Sequence, residues 1–295
     1  MNYRHAFHAG NHGDVLKHVA VLALLDGLQR KPTPLWALDT HAGRGLYSLA
    51  TEEALRTAEA ADGIARLLPR EADGENAPSP PAPLPGAEGS VLRRYCEAIM
   101  ACRAQHGPGA YPGSPWLLAH ALRADDRLAC CELQPTEAAA LKSLLAQDAR
   151  AAVHRRDGYE AMRALLPPTP RRGLVLVDPP YEAQLAEFDA ILAALADALA
   201  RWPQGVYAVW YPIKQARTLA PFLREATALP ARSALVAELL VRHDDSPLRM
   251  NGSGVLVLNP PWQLERTLQP ALATLRAALD QGGGRAGLRW LRREA

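Results

Sequence analysis

Short apolar runs punctuate the chain, and they share one property: polar and apolar residues do not alternate within them. Gly173-Leu174-Val175-Leu176-Val177, Leu35-Trp36-Ala37-Leu38, Arg127-Leu128-Ala129-Cys130-Cys131 and Gly205-Val206-Tyr207-Ala208-Val209 are apolar at nearly every position. A strand with one face in water shows a period of two, so these runs read as strands covered on both faces, the habit of parallel sheets. Between them, Val15, Leu16, Val19, Leu22, Ala23, Leu25 and Leu28 recur at helical spacing over 14–30, opened by Asp14. Further helical patterns occupy 135–147, 184–200 and 215–226, and a short strand is expected near 151–155. Strand and helix in regular turn predict an α/β domain around a mostly parallel sheet.

The pattern changes at the end. Leu235 to Val241 and Gly254 to Leu258 read as strands, and the joint between them, Arg242 to Ser253, carries no helical pattern. That joint is too short for a crossover, so the two strands are expected to be antiparallel, closing a seven-stranded, mostly parallel sheet with an antiparallel last strand. Residues 263–295 read as an amphipathic helix followed by a mobile tail rich in Gly and Arg, including Arg285, Arg289, Arg292 and Arg293.

An insertion interrupts the first half. Leu35 to Asp39 ends in Thr40-His41-Ala42-Gly43-Arg44-Gly45, and a helical pattern is expected over Leu46 to Leu55. Strand, glycine turn and helix form the first unit of a nucleotide-binding α/β domain, in which an acidic ribose-binding residue follows about 20 positions later. Here the next strand ending in an acid is 127–131, with Glu132, and 132 − 45 = 87 residues separate Glu132 from Gly45. The intervening stretch is expected to form a small helical cap, helical over 50–69 and 90–106, with a Pro-rich loop at 71–90 that cannot pack as a regular element. The domain plan is therefore an N-terminal segment and helix at 1–34, a core at 35–49 and 107–262, an insertion at 50–106 and a C-terminal region at 263–295.

Composition narrows the partners. With 48% hydrophobic residues in 295, the chain can bury a large core, and its formal charge of +2 requires any nucleic-acid surface to arise from local asymmetry. Four cysteines, Cys96, Cys102, Cys130 and Cys131, show no Cys-x-x-Cys spacing, which argues against a disulfide framework or a zinc knuckle. No apolar signal region opens the chain and no window approaches 18 uninterrupted apolar residues, so a cytoplasmic location away from membranes is expected.

The chemistry gathers at strand ends. Asp178-Pro179-Pro180-Tyr181 follows the most apolar strand, and ligands in open α/β sheets bind at such carboxyl ends. Two prolines fix the backbone and leave carbonyl acceptors free, Asp178 adds a carboxylate, and Tyr181 adds a ring able to lie on a planar group. Acceptors beneath a stacking surface suit the exocyclic amino group of a nucleobase. The Asp-x-x-x-Gly-x-Gly turn lacks the third glycine of a dinucleotide fingerprint and leans toward S-adenosylmethionine over a nicotinamide cofactor. Glu132 could accept ribose hydroxyls, Asp157, before Gly158, an adenine amino group, and the Gly43 turn could admit the methionine end. Lys17 and His18 could hold the methionine carboxylate. Tyr111-Pro112-Gly113-Ser114-Pro115 reads either as a ligand contact or as a helix entry capped by Ser114.

Residues 3–12 crowd Tyr3, Arg4, His5, Phe7, His8 and His12 together. Three readings stand: an RNA- or DNA-facing segment, a local hydrogen-bond cluster, and a metal site, against which Gly10-Asn11 breaks the helix that would align the histidines.

In these motifs the chain resembles the RlmJ family, the 23S ribosomal RNA adenine-N6 methyltransferases. The resemblance is carried in order by the Tyr3 to His12 block, Asp14-Val15-Leu16-Lys17-His18, Asp39-Thr40-His41-Ala42-Gly43, Tyr111 to Pro115, Asp178-Pro179-Pro180-Tyr181-Glu182 and Trp210-Tyr211-Pro212. It implies a class I, Rossmann-like, S-adenosylmethionine-dependent methyltransferase with a helical insertion, acting on 23S ribosomal RNA; a monomer without a metal is expected. It implies cofactor contacts at His18, His41, Ser114, Glu132, Asp157, Gly158 and Asp178, with RNA contact at Tyr3, alongside which Arg4, His5 and His8 are candidates. Asp178 would accept the proton, with Pro179, Pro180 and Tyr181 completing the catalytic loop. The rivals are a DNA adenine-N6 or ribosomal RNA guanine-N2 methyltransferase, and an RNA-binding assembly factor without activity.

Overall fold

The computed structural model describes residues 7–69, 85–247 and 250–294. The strands are β1 (Trp36–Asp39), β2 (Leu46–Ser48), β3 (Ala110–Pro112), β4 (Arg127–Cys131), β5 (Ala151–His154), β6 (Gly173–Val177), β7 (Val206–Ile213), β8 (Ala234–Arg242), β9 (Gly252–Leu258) and β10 (Gly283–Arg292). Eight of them form one sheet in the order β10-β8-β9-β7-β6-β1-β4-β5. Strands β5, β4, β1, β6 and β7 run parallel, β9 opposes both β7 and β8, and β10 opposes β8. This is the Rossmann-like arrangement expected, with its antiparallel hairpin at β8 and β9, enlarged from seven strands to eight.

The reading of β6 as a doubly covered strand holds in detail. Leu174 and Leu176 face one hydrophobic cluster while Val175 and Val177 face the other. One cluster gathers α1 (His12–Gln29), α3 (Val91–His106), α4 (Ser114–Ala121) and α9 (Leu264–Leu279), and the other gathers α6 (Gly158–Leu165), α7 (Gln184–Arg201) and α8 (Ala220–Ala228). Helix α5 (Pro135–Leu144) follows β4 on the first side.

Helix α1 begins two residues before Asp14, and the residue at its N-cap is Asn11. Asn11 Oδ1 accepts the Asp14 N–H at 2.9 Å, satisfying a donor the first turn leaves open, and Asp14 Oδ2 accepts the Gly10 N–H at 3.0 Å in the turn ahead of the helix. Gly10 sits at φ 79°, so the chain turns sharply there and no continuous helix joins His8 to His12.

Three expectations are corrected. Leu46 to Leu55 is not one helix: Leu46, Tyr47 and Ser48 pair with Pro112, Tyr111 and Ala110 as a separate two-stranded sheet, and only Glu52–Thr57 forms α2. Pairing buried Tyr47 opposite buried Tyr111 overrides a helical pattern that was merely local. Helix α3 lies where expected, but the stretch before it is α2, turns and a short 3-10 turn at Ile64–Arg66. The C-terminal residues are not a free tail. In β10, Ala286, Leu288 and Trp290 pack inward on the α9 side, and Arg292 donates to the carbonyls of Thr227, Leu229 and Ala231 at the end of α8.

Candidate active site

The carboxyl ends of β1, β4, β5 and β6 open on one cavity of about 1200 Å³, larger than an ordinary ligand pocket of roughly 300–1,000 Å³. Its wall includes Lys17, His41, Gly43, Ser114, Glu132, Asp157, Gly158, Asp178 and Pro180. The fold brings these residues together from six separate stretches of chain.

Two of the acids are held by backbone. Glu132 Oε2 accepts the Gly43 N–H at 2.9 Å and Oε1 accepts the Gln134 N–H at 2.7 Å, pinning the glycine turn to the tip of β4. Gly43 stands at φ 61°, and a side chain there would meet the Tyr47 hydroxyl. Asp157 caps α6, Oδ1 accepting from Tyr159 and Glu160. Its other oxygen has no hydrogen-bond partner among the described residues. A Cβ on Gly158 would come within 2.2 Å of the Thr40 carbonyl oxygen, so only glycine lets the α6 N-terminus close on the first turn.

Asp178 is the most constrained group. Lys17 Nζ donates to Asp178 Oδ2 at 2.6 Å and to Asp14 Oδ1 at 2.8 Å, and all three side chains are largely out of water. Burial works to lower the Lys17 pKa, yet the two carboxylates outweigh it and hold the ammonium well above its ordinary value. Lys17 is thus charged and engaged by protein acids, a role sequence reading did not foresee, since the partners lie 3 and 161 residues away.

Beneath this pair, Asp39 is fully buried at the end of β1; its Oδ1 accepts the His41 backbone N–H at 3.4 Å, and its Oδ2 has no hydrogen-bond partner among the described residues. Burial, with the nearby Asp178 charge, pushes its carboxyl up to about 7, although the neighbouring Ser114 hydroxyl opposes this. Ser114 is the first residue of α4; the N-cap is Gly113, so the serine borders the cavity and does not cap the helix. Burial also lowers His41 to about 4, leaving a neutral ring edge-on to Tyr159.

The remaining candidates fall elsewhere. His18 lies behind the wall, its Nδ1 3.1 Å from the Tyr111 hydroxyl, which in turn meets the Tyr95 hydroxyl at 2.8 Å. Pro179 and Tyr181 are off the cavity wall; the Tyr181 hydroxyl donates to the Trp210 carbonyl and its ring tilts against Trp210 and Phe188. His8 meets Glu59 through Nδ1 at 3.0 Å, and Asn11 donates to the same carboxylate at 2.9 Å. Tyr3, Arg4 and His5 lie outside the described residues.

The sheet order and the acid-lined cavity at its switch point define a Rossmann-like methyltransferase. A family profile described as "Ribosomal RNA large subunit methyltransferase D, RlmJ" matches residues 32–292, and the chain belongs to that family. It is 36% identical over 292 residues to "Ribosomal RNA large subunit methyltransferase J" of Escherichia coli K12, covering 99% of each chain. The protein of the same name from Haemophilus influenzae is 35% identical over 295 residues, again with 99% of each covered. Protein LPL1258 of Legionella pneumophila, known from a crystal structure, is 32% identical with a TM-score of 0.80, over 96% of this chain and 98% of that one. Membership implies a methyl donor of the S-adenosylmethionine type. No helix among the described residues is long and apolar enough to cross a membrane.

Proposed function

We propose that this chain methylates the exocyclic N6 amino group of one adenine in 23S ribosomal RNA, by direct transfer to a base turned out of its stack. The observation that carries the reading is that Glu132 and Asp178 open on the same cavity, with Asp157 and His41 also on its wall. The substrate class follows the names of the two relatives that match over nearly the whole chain.

The residues present suit S-adenosylmethionine. Its ribose hydroxyls, adenine amino group and ammonium are hydrogen-bond donors, and Glu132, Asp157 and the neutral His41 ring are acceptors. When bound, it supplies a methyl group on a sulfonium that an amine can displace. Glu132 would take the ribose, Asp157 the adenine amino group, and Gly43 and Ser114 would border the methionine end.

The target amine is a poor nucleophile because its lone pair is delocalised into the purine. Asp178, joined by the Pro179 carbonyl once its loop shifts to bring it onto the cavity, would accept its two hydrogens and turn the lone pair toward the methyl donor, so that alignment supplies much of the rate. Lys17 fixes one Asp178 oxygen in place, leaving the other to bond the amine and take the proton released. Tyr181 would stack on the extruded base after a shift of its loop, replacing the stacking lost from the RNA. The Tyr3, Arg4, His5 and His8 segment would grip the RNA beside it.

Mass spectrometry of digested ribosomal RNA from cells lacking this chain is expected to show one N6-methyladenosine lost from 23S RNA and restored by re-expression. An unchanged pattern there, with methylation instead of duplex DNA or of a guanine, would reassign the substrate.

A further inference from the structure

Thr40 holds one hydroxyl proton between two polar neighbours. Its Oγ1 lies 2.9 Å from the Leu176 carbonyl oxygen and 2.8 Å from Nδ1 of His41. A carbonyl oxygen has only lone pairs, so the proton must lie between Oγ1 and Leu176; otherwise two lone pairs would face each other at that distance. Thr40 is 1% exposed, and no solvent relieves such a clash. Oγ1 then offers His41 only a lone pair, and Nδ1 must carry the hydrogen. A neutral imidazole has one N–H, which leaves Nε2 bare. That nitrogen has no hydrogen-bond partner among the described residues, and His41 lines the cavity. The arrangement has little freedom, because the Thr40 backbone N–H also donates to Leu176 at 3.0 Å and Gly158 closes against the Thr40 carbonyl.

We propose that Thr40 is a positioning residue that locks His41 in its Nδ1–H form, so the cavity presents an imidazole lone pair and selects a ligand carrying an N–H or O–H donor at that point. The donor's identity as a group of S-adenosylmethionine rests on the function proposed above; the tautomer does not.

The tautomer is read in the full-length chain labelled with ¹⁵N-histidine, the His41 signals assigned by their loss in His41→Gln. At neutral pH Nδ1 is expected in the N–H range and Nε2 in the bare-nitrogen range, with Nε2 moving when S-adenosylhomocysteine is added. Thr40→Val keeps the side-chain shape and removes the hydroxyl. It is expected to shift His41 toward the Nε2–H form and to weaken S-adenosylhomocysteine binding about tenfold, the scale of one well-placed hydrogen bond. KM for the methyl donor should rise with kcat at saturation unchanged, and Thr40→Ser should restore both. An Nε2–H tautomer in the unaltered chain overturns the proposal, as does a Thr40→Val chain with the original nitrogen spectrum and affinity. Should Thr40→Val fail to fold, the unaltered chain's spectrum still decides. Failure of the unaltered chain to bind S-adenosylhomocysteine would defeat the methyl-donor reading, and the spectrum would continue to decide the role of Thr40.

Discussion

Lys17 and Asp178 are 161 residues apart in sequence and 2.6 Å apart in space, the ammonium of one pointing at a single oxygen of the other. Because Asp14 accepts a second hydrogen bond from Lys17 and also accepts the Gly10 N–H just ahead of α1, the Asp178 carboxylate is tied through one buried cation to the turn where the N-terminal block ends. Removing that cation leaves two carboxylates facing each other with 4% and 14% of their side chains exposed. Lys17→Met is expected to cost roughly 3 kcal/mol of stability, as loss of one partner in a buried pair does. The misplacement of Asp178 should slow methyl transfer on the order of 100-fold. Chemical denaturation and single-turnover methylation of ribosomal RNA measure the two; a fully active Lys17→Met chain would remove the cation from the mechanism.

The Asp178 carboxylate is expected to matter for transfer more than for holding the methyl donor. Asp178→Asn keeps a carbonyl acceptor but can neither take the proton nor balance Lys17, which retains Asp14. Methyl transfer should fall by about 10²- to 10⁴-fold, while calorimetry should find S-adenosylhomocysteine bound nearly as before. Equal losses in both measurements would make Asp178 a binding residue only.

Much of this site was legible because its signals are local. Acids directly after apolar runs, at Glu132 and Asp178, and the acid three residues past the next strand, Asp157, needed only the rule that parallel strands end on one side of a sheet. The parts that were not legible depend on distant partners. Nothing near Lys17 in sequence announces Asp178, and its neighbour His18 turns to Tyr111 instead of the cavity. Leu46 to Ser48 has a helical pattern that loses to pairing with a strand more than 60 residues later, at Ala110–Pro112. The cap that Asn11 places on the Asp14 N–H was readable from their spacing of three, and so was the period of two in Ala286, Leu288 and Trp290, hidden among glycines and arginines.

Asp39 should give the chain a pH signature. Its carboxyl is near 7 when folded against an ordinary 3.8, so between about pH 4 and 7 the unfolded chain ionises this group while the folded chain does not. The group's contribution to stability is therefore complete below about 4 and is lost as pH rises through 7. His12 and His41, both lowered to about 4 mainly by burial, act in the opposite sense: their contribution is present above the ordinary 6.5 and is lost as pH falls toward 4. Comparing variants isolates the acid, because the histidines are common to both. Asp39→Asn can still accept from the His41 N–H, and its stability relative to the unaltered chain should grow with pH, on the order of 4 kcal/mol by neutrality. Parallel denaturation curves at every pH would mean that Asp39 is ionised in the folded state.

Strand β10 should stabilise the sheet and not merely trail from it. Trp290 packs against the α9 side of the core and donates its indole N–H to Glu265, while Arg293 lies 4.9 Å over the same ring. Arg292 meanwhile satisfies three carbonyls at the end of α8. Trp290→Ala loses the ring's burial and strands the Glu265 contact, which should cost about 2 kcal/mol, below the 3–5 of a fully buried Trp because this ring is only partly covered. Deleting 283–295 goes further: it bares the whole edge of β8, whose backbone groups would then pair with other chains. The shortened chain is expected to melt several degrees lower and to aggregate as it unfolds, while S-adenosylhomocysteine affinity below the melting range stays close to that of the full chain, since β10 contributes nothing to the cavity wall. A shortened chain with the original melting temperature and solubility would return these residues to the status of a tail.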